Sequence, residues 1–235
     1  MSIKMVPVLM GQSAVDFVSA ADANSKNLPP ELTPEREEQI HNIFDNCTMV
    51  QLSDDVYKHC EDFSCGDVDL DDFFINDAQK YADEMIGKTY CWISNTKPYT
   101  ITAFFTISND SIKTISLSSS SKNRLNRTLP NAKGGRSYPA VLIGRVGVNT
   151  EFRGLNIGTQ LIQFIKDWFC AKDNKTGCRF LIVDAYNQES VLAFYKRNGF
   201  KYLYADEEEE KNYYNTAPNE SIQTRLMYFD LKTNM

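Results

Sequence analysis

No apolar run in the sequence approaches the roughly 18 residues that a membrane-spanning helix needs, so no spanning segment is expected. The first ten residues hold a single lysine, and their short apolar stretch is broken by Pro7, too interrupted for the core of a secretory leader. Histidine is scarce, with only His41 and His59, and no two of the six cysteines have C-x-x-C spacing. Four ligands at finger-like spacing are missing, and a metal site is not expected. A chain of 235 residues can bury a core without covalent staples. Cys47, Cys60, Cys65, Cys91, Cys170 and Cys178 are therefore expected as reduced, mostly buried thiols. Positive charge is also in deficit. The 25 Lys and Arg against 31 Asp and Glu give a formal net charge of -6, which leaves nucleic-acid binding only to a local basic patch. These absences describe a cytoplasmic globular protein, and 42% hydrophobic with 24% charged residues is the balance such a protein has.

What is present divides the chain. Residues 1–46 read as an N-terminal extension. Ala20 to Pro30 is small and polar and ends in Pro29-Pro30, as a linker does. Thr33 before Pro34, Glu35 and Arg36 marks a helix start, and a short helix through Ile40 and Phe44 is expected. Residues 47–235 read as one compact domain. Cys65-Gly66-Asp67 is a turn, and Asp67 or Asp69 caps a helix with Leu70, Phe73, Phe74 and Ala78 on one face. Thr89 to Ser94 and Ile101 to Ser108 read as strands of an antiparallel hairpin. Ser116 to Ser137 is polar and without periodicity.

Ala140 to Val148 is nearly continuous apolar sequence, as a strand covered on both faces has. A loop from Asn149 to Asn156 leads into a helix, Ile157 to about Cys170, with Leu161, Phe164, Ile165 and Trp168 at helical spacing. Phe180 to Ala185 is a strand, and Ser190 to Asn198 a helix closed by Gly199. Lys201 to Tyr204 and Thr224 to Asp230 are short strands, and the acidic run Asp206 to Glu210 between them reads as a solvated loop. This alternation gives an α/β fold, a mixed sheet with helices on both faces.

Arg153-Gly154-Leu155-Asn156-Ile157-Gly158 lies where a buried strand meets an amphipathic helix. The first amides of a helix have no intrahelical acceptor, and the helix dipole adds positive potential there, so the turn suits a phosphate or pyrophosphate. Glycine at 154 and 158 lets backbone approach a ligand. The spacing matches neither G-x-x-x-x-G-K-[ST] nor an early G-x-G-x-x-G, which sets aside triphosphate and dinucleotide loops.

The stretch Val146-Gly147-Val148…Arg153-Gly154-Leu155-Asn156-Ile157-Gly158-Thr159-Gln160-Leu161 resembles the acetyl-CoA motif of the GNAT N-acetyltransferase superfamily, Arg/Gln-x-x-Gly-x-Gly/Ala. Asp184-Ala185-Tyr186-Asn187…Ser190-Val191-Leu192-Ala193-Phe194-Tyr195-Lys196-Arg197-Asn198-Gly199-Phe200 matches a second motif in the same order. Asn156 replaces the first motif's leading glycine, and among non-glycine residues Asn best tolerates a left-handed backbone. The resemblance covers roughly residues 48–231 and implies a mixed, mostly antiparallel GNAT-like sheet that binds acetyl-CoA. By resemblance, backbone amides near Val146 and Val148 hold the pantetheine arm and acetyl carbonyl, and Gly147 suits a strand bulge. Arg153, Gly154, Leu155, Asn156, Ile157, Gly158 and Thr159 hold the pyrophosphate. Asn187 contacts the pantetheine, with Ser190 in the same coenzyme-binding set, and Tyr195 sits at the thioester sulfur as the general acid. No general base is identified, and Arg145 stands where a carboxylate is expected.

The expected reaction is direct attack of a primary amine on the thioester. A narrower similarity, through Phe63-x-Cys65-Gly66-x-x-x-Leu70-Asp71-x-Phe73-Phe74 and Pro139 to Val146, points to GNAT toxins that acetylate aminoacyl-tRNA. Lys122, Arg124, Arg127, Lys133 and Arg136, with no acidic residue between them, would grip the phosphates. The acidic net charge and the N-terminal extension weigh against that branch. A non-catalytic acyl-CoA-sensing module is the third reading. A homodimer is the expectation by resemblance, and no membrane partner is expected.

Overall fold

The computed structural model describes residues 47–127, 129, 137–172, 176–217 and 219–234. The expected extension, residues 1–46, with its helix through Ile40 and Phe44, lies outside the described residues. The described chain falls into two compact units, which are taken in turn.

The first unit comprises residues 47–108 and 144–167. Its strands β1 (Cys47–Gln51), β2 (Lys88–Ser94) and the first part of β3 (Ile101–Lys113) pair antiparallel in that order. Successive side chains of a strand point to opposite faces. Cys91 and Phe104 accordingly enter a cluster with Phe63, Leu70, Phe73 and Phe74. Trp92 and Phe105 point the other way, toward Phe164 at 5.4 and 6.4 Å between ring centres. The first cluster is covered by α1 (Asp54–His59), α2 (Val68–Asp72), a π-helical turn (Phe73–Asp77) and α3 (Ala78–Asp83). Asp67 caps α2 by accepting from the amides of Asp69 and Leu70 at 3.0 and 3.1 Å, as its side chain and position predict. The wider π turn rotates less per residue, so that Phe73 and Phe74, adjacent in sequence, both reach the core. The other face receives α5 (Ile157–Cys170), with Ile157, Leu161, Phe164 and Ile165 buried at the expected spacing. This unit therefore has helices on both faces of its strands.

The second unit comprises the described part of residues 109–143 and 168–235. It contains most of β4 (Ser137–Val148), which is parallel to β5 (Phe180–Tyr186). β5 pairs antiparallel with β7 (Thr224–Asp230), and β7 with the short β6 (Lys201–Tyr202). Ile112, Leu125, Phe180, Ile182, Leu203, Tyr204 and Tyr228 form its core. The described residues thus hold seven strands in a mixed, mostly antiparallel α/β arrangement, in agreement with the sequence reading.

Two expectations in this unit are corrected. The polar stretch after Ser116 contains a helix, α4 (Ser119–Asn126). Ser118 caps it through the amide of Ser121, and Leu125 anchors it in the core. Its single buried apolar residue gave no periodic signal. The acidic run is not a solvated loop but the first turn of α7 (Glu207–Tyr214). Asp206 accepts from the amide of Glu209 at 2.8 Å, and carboxylates in a first turn oppose the helix dipole. Helix α6 (Glu189–Arg197) ends as predicted, with Gly199 at φ +80° just beyond Asn198.

Candidate functional site

In the first unit, β4 delivers Val146, Gly147 and Val148 directly into the turn that starts α5. What demands glycine at 147 is a close approach: an added Cβ would lie 3.0 and 3.1 Å from Cδ1 and Cζ of the fully buried Phe104. Val148 is buried and Val146 half-buried. Gly154 and Asn156 both sit in the left-handed region, at φ +76° and +56°. The substitution of Asn for the motif's glycine is thus accommodated in the conformation that asparagine tolerates best. Two left-handed residues bend the chain so that Ile157 and Gly158 open α5, with both residues buried. Leu155 and Thr159 are half-buried, while Arg153, Gly154 and Asn156 are exposed. The result is an exposed loop leading onto the positive end of a 14-residue helix, the arrangement that binds anions.

This loop is braced by residues for which the sequence alone gave no role beyond the motif they belong to. The Thr150 amide donates to Ser64 O at 3.0 Å, and the Arg153 guanidinium donates to Cys65 O at 3.2 Å. The turn that offers those carbonyls is itself fixed by Asp71, whose carboxylate accepts from the Cys65 amide and the Ser64 hydroxyl, each at 2.7 Å. Gly66 at φ +75° lets that turn close. Asn149 caps the short turn Thr150–Phe152 and ties back to β3 through Ile101 O at 3.1 Å. The Phe63-x-Cys65-Gly66 segment therefore positions the glycine loop, a role readable only once the two stretches are known to touch.

The second unit carries Asn187, Ser190 and Tyr195 on the β5–α6 connection and on α6. The Asn187 amide nitrogen donates to Ile222 O at 3.1 Å and to Glu207 Oε1 at 3.2 Å, so only its carbonyl oxygen is left for a ligand. Ser190 is half-buried. The Tyr195 ring packs edge-on against Phe194 and Phe200 at 5.0 and 5.5 Å. Among the described residues its hydroxyl has no hydrogen-bond partner, and burial pushes the phenol well above its ordinary value. A phenol so placed stays protonated at neutral pH and can donate a proton.

The basic set is dispersed in role. Arg124 donates to Tyr202 O at 3.1 Å and Leu203 O at 2.9 Å, which makes it an internal tie rather than a free phosphate grip. Arg127 is exposed and Lys122 half-buried, while Lys133 and Arg136 lie outside the described residues. His59 Nδ1 bonds the carbonyl of Asp55 at 2.8 Å within α1. All six cysteines are free thiols, and Cys47, Cys65 and Cys91 are buried. No helix among the described residues is long and apolar enough to cross a membrane.

Residues 126–202 match the family described as acetyltransferase (GNAT) domain. No curated protein matches the chain. Among solved structures it is similar to a mutant of KacT, at 19% identity and TM-score 0.57, over 80% of this chain and 96% of that one. It is also similar to AtaTR bound with acetyl-CoA, at 20% identity and TM-score 0.55, over 80% and 96% of the two chains. A third likeness is to AtaT complexed with acetyl-methionyl-tRNAfMet, at 20% identity and TM-score 0.55, over 80% and 97%. At these identities the likeness establishes the fold, and the fold is the one the two sequence motifs imply.

Proposed function

We propose that this chain, whose residues 126–202 match a GNAT acetyltransferase domain, is an acetyl-CoA-dependent acetyltransferase that acetylates the nitrogen of a primary amine. The observation that carries the reading is the pair of left-handed residues, Gly154 and Asn156, turning backbone amides onto the start of α5. Acetyl-CoA supplies an activated acetyl group and a pyrophosphate by which it can be held. The amides of residues 153–159 bind that pyrophosphate. The amides near Val146 and Val148 hold the pantetheine arm and stabilise negative charge developing on the acetyl oxygen. The Asn187 carbonyl and Ser190 belong to the second coenzyme motif, which by its resemblance contacts the pantetheine. Tyr195 gives its phenolic proton to the departing thiolate. Most of the rate then comes from holding amine and acetyl carbon in attack geometry. Residues 47–235 constitute the acetyltransferase domain and residues 1–46 its extension, in a cytoplasmic protein that forms a homodimer.

A second reading names the amine. A solved structure has AtaT complexed with acetyl-methionyl-tRNAfMet, and its likeness to this chain favours the α-amine of an aminoacyl-tRNA. Lys122 and Arg127 would contribute there, with Lys133 and Arg136, while Arg124 would act only by holding the second unit's backbone. The test is transfer from radiolabelled acetyl-CoA to charged tRNA, to a mixture of polyamine and peptides, and to buffer alone. Label in the tRNA fraction supports the second reading, and label only in small amines or peptides removes it. Binding of the coenzyme with no labelled acceptor would turn the protein into a sensor. Tyr195→Phe should lower the transfer rate about 10²–10⁴-fold, the range for losing a general acid, and leave coenzyme affinity nearly unchanged. An equally active variant would remove Tyr195 from the mechanism.

A further inference from the structure

The geometry points to Arg145 as the residue that selects an acceptor bearing a phosphate group. Arg145 lies in β4 next to Val146, in the first unit, and is half-buried. Its guanidinium carbon lies 3.9 Å from the centre of the Phe73 ring and 5.5 Å from that of Tyr81. Those two rings meet edge-to-face at 5.2 Å, so the plane of the guanidinium is held by a rigid aromatic seat. Among the described residues the Arg145 side chain makes no hydrogen bond and no ion pair. Asp77 lies between Phe73 and Tyr81 in sequence, but its carboxylate is paired with Lys80 at 3.1 Å.

The guanidinium is only partly withdrawn from water, so its N–H donors are open to the oxygens of a ligand. Stacking occupies the faces of the guanidinium and leaves its edge, the fork of donors that matches two oxygens of a phosphate. Lysine could not replace it, since a point charge has no plane to stack. Arg145 also occupies the place where a carboxylate was expected to serve as base. A cation there raises the cost of bringing a protonated amine close and favours an acceptor whose phosphate neutralises it.

The inference rests on the acetyl-transfer reading, and its test separates the two. Initial rates are measured for the full chain, Arg145→Ala and Arg145→Lys with charged tRNA, phosphoethanolamine, ethanolamine and spermidine. Acetyl-CoA affinity and thermal melting are recorded for each variant. The expected result is transfer to a phosphate-bearing acceptor, with KM raised about tenfold or more in Arg145→Ala, as for loss of a charge-assisted bidentate contact. The turnover number and acetyl-CoA affinity should stay near those of the parent, and Arg145→Lys should recover only part of the loss. Charged tRNA and phosphoethanolamine distinguish a polymer end from a small phosphoamine. An unchanged KM in Arg145→Ala overturns the inference, as does transfer by the parent chain to spermidine or ethanolamine alone. If Arg145→Ala fails to fold, the KM of Arg145→Lys decides in the same way. Absence of transfer to every acceptor would instead bring down the acetyl-transfer reading, and this inference with it.

Discussion

The aromatic cluster of the first unit is made of apolar side chains, with the buried Lys166 of that unit outside it, whereas the second unit takes charges of both signs inside and pairs them there. In the first, Phe63, Phe74 and Phe104 meet at 4.7 to 5.4 Å between ring centres, with Leu52, Leu70 and Ile101 around them. In the second, Glu210 is completely buried, accepts from Arg225 Nε at 2.6 Å and from the Leu226 amide at 2.5 Å. Arg179 forms a two-pronged pair with Asp230 at 2.6 and 2.9 Å. Arg225 also stacks 4.5 Å from the centre of the Tyr202 ring. Apolar burial is non-directional and tolerates small shifts, but a buried ion needs each partner in place. The first unit should therefore respond to changes of volume, and the second to removal of single charges.

The largest expected effect is on the charged side of that comparison. Glu210→Ala leaves Arg225 buried with its main partner gone, which should cost about 3–5 kcal/mol, measured by denaturant unfolding. Glu210→Gln keeps the shape and one acceptor, and should cost less. If Glu210→Ala loses under about 1 kcal/mol, the contrast between the units is false, because a dispensable pair cannot be what orders α7.

On the apolar side, Gly147→Ala pushes a methyl group into the Phe104 ring and should cost about 1–3 kcal/mol by overpacking. Phe104→Leu made in the same chain opens space at that contact. The double variant should then be less destabilised than the sum of the two single ones. Simple additivity would show that glycine at 147 is needed for something other than this contact.

The same contrast explains which parts of the molecule were legible in the sequence. The strand and helix around the glycine loop follow apolar periodicity, and α5 and β7 were read with their observed limits. Asn156 was legible too, because its side chain restricts which residue can replace glycine in a left-handed turn. The acidic run was misread because Glu210 looks like any surface glutamate until Arg225, fifteen residues on, is brought beside it. Arg124 was misread for the same reason, its carbonyl partners being 78 and 79 residues away. Asp71 and Ser64, which brace the glycine loop, act across a separation of almost ninety residues through the Cys65–Arg153 contact. Periodicity reports on how a segment meets a core, and carries nothing about which distant partner a polar group will find.

Glu209 offers the smallest and most diagnostic effect, since it can be followed with pH. Burial alone would raise its carboxyl, but the amides of Ala205 and Ser118 at 2.7 Å and the Ser121 hydroxyl at 2.9 Å outweigh that and hold it below the usual carboxylate range. A pKa lowered by folding contributes stability above the unfolded value, near about 4.3 for glutamate, and loses it as pH falls through the folded value. Glu209 is partly exposed, so water screens the effect, and Glu209→Gln should cost about 1 kcal/mol or less at pH 7. The difference between parent and variant should close as the pH drops below about 4. Gly147→Ala should keep the same cost across that range, because neither Gly147 nor Phe104 titrates. A Glu209→Gln difference that stayed flat with pH would mean the carboxylate's charge is not used in α7, and that the second unit is held, like the first, by shape.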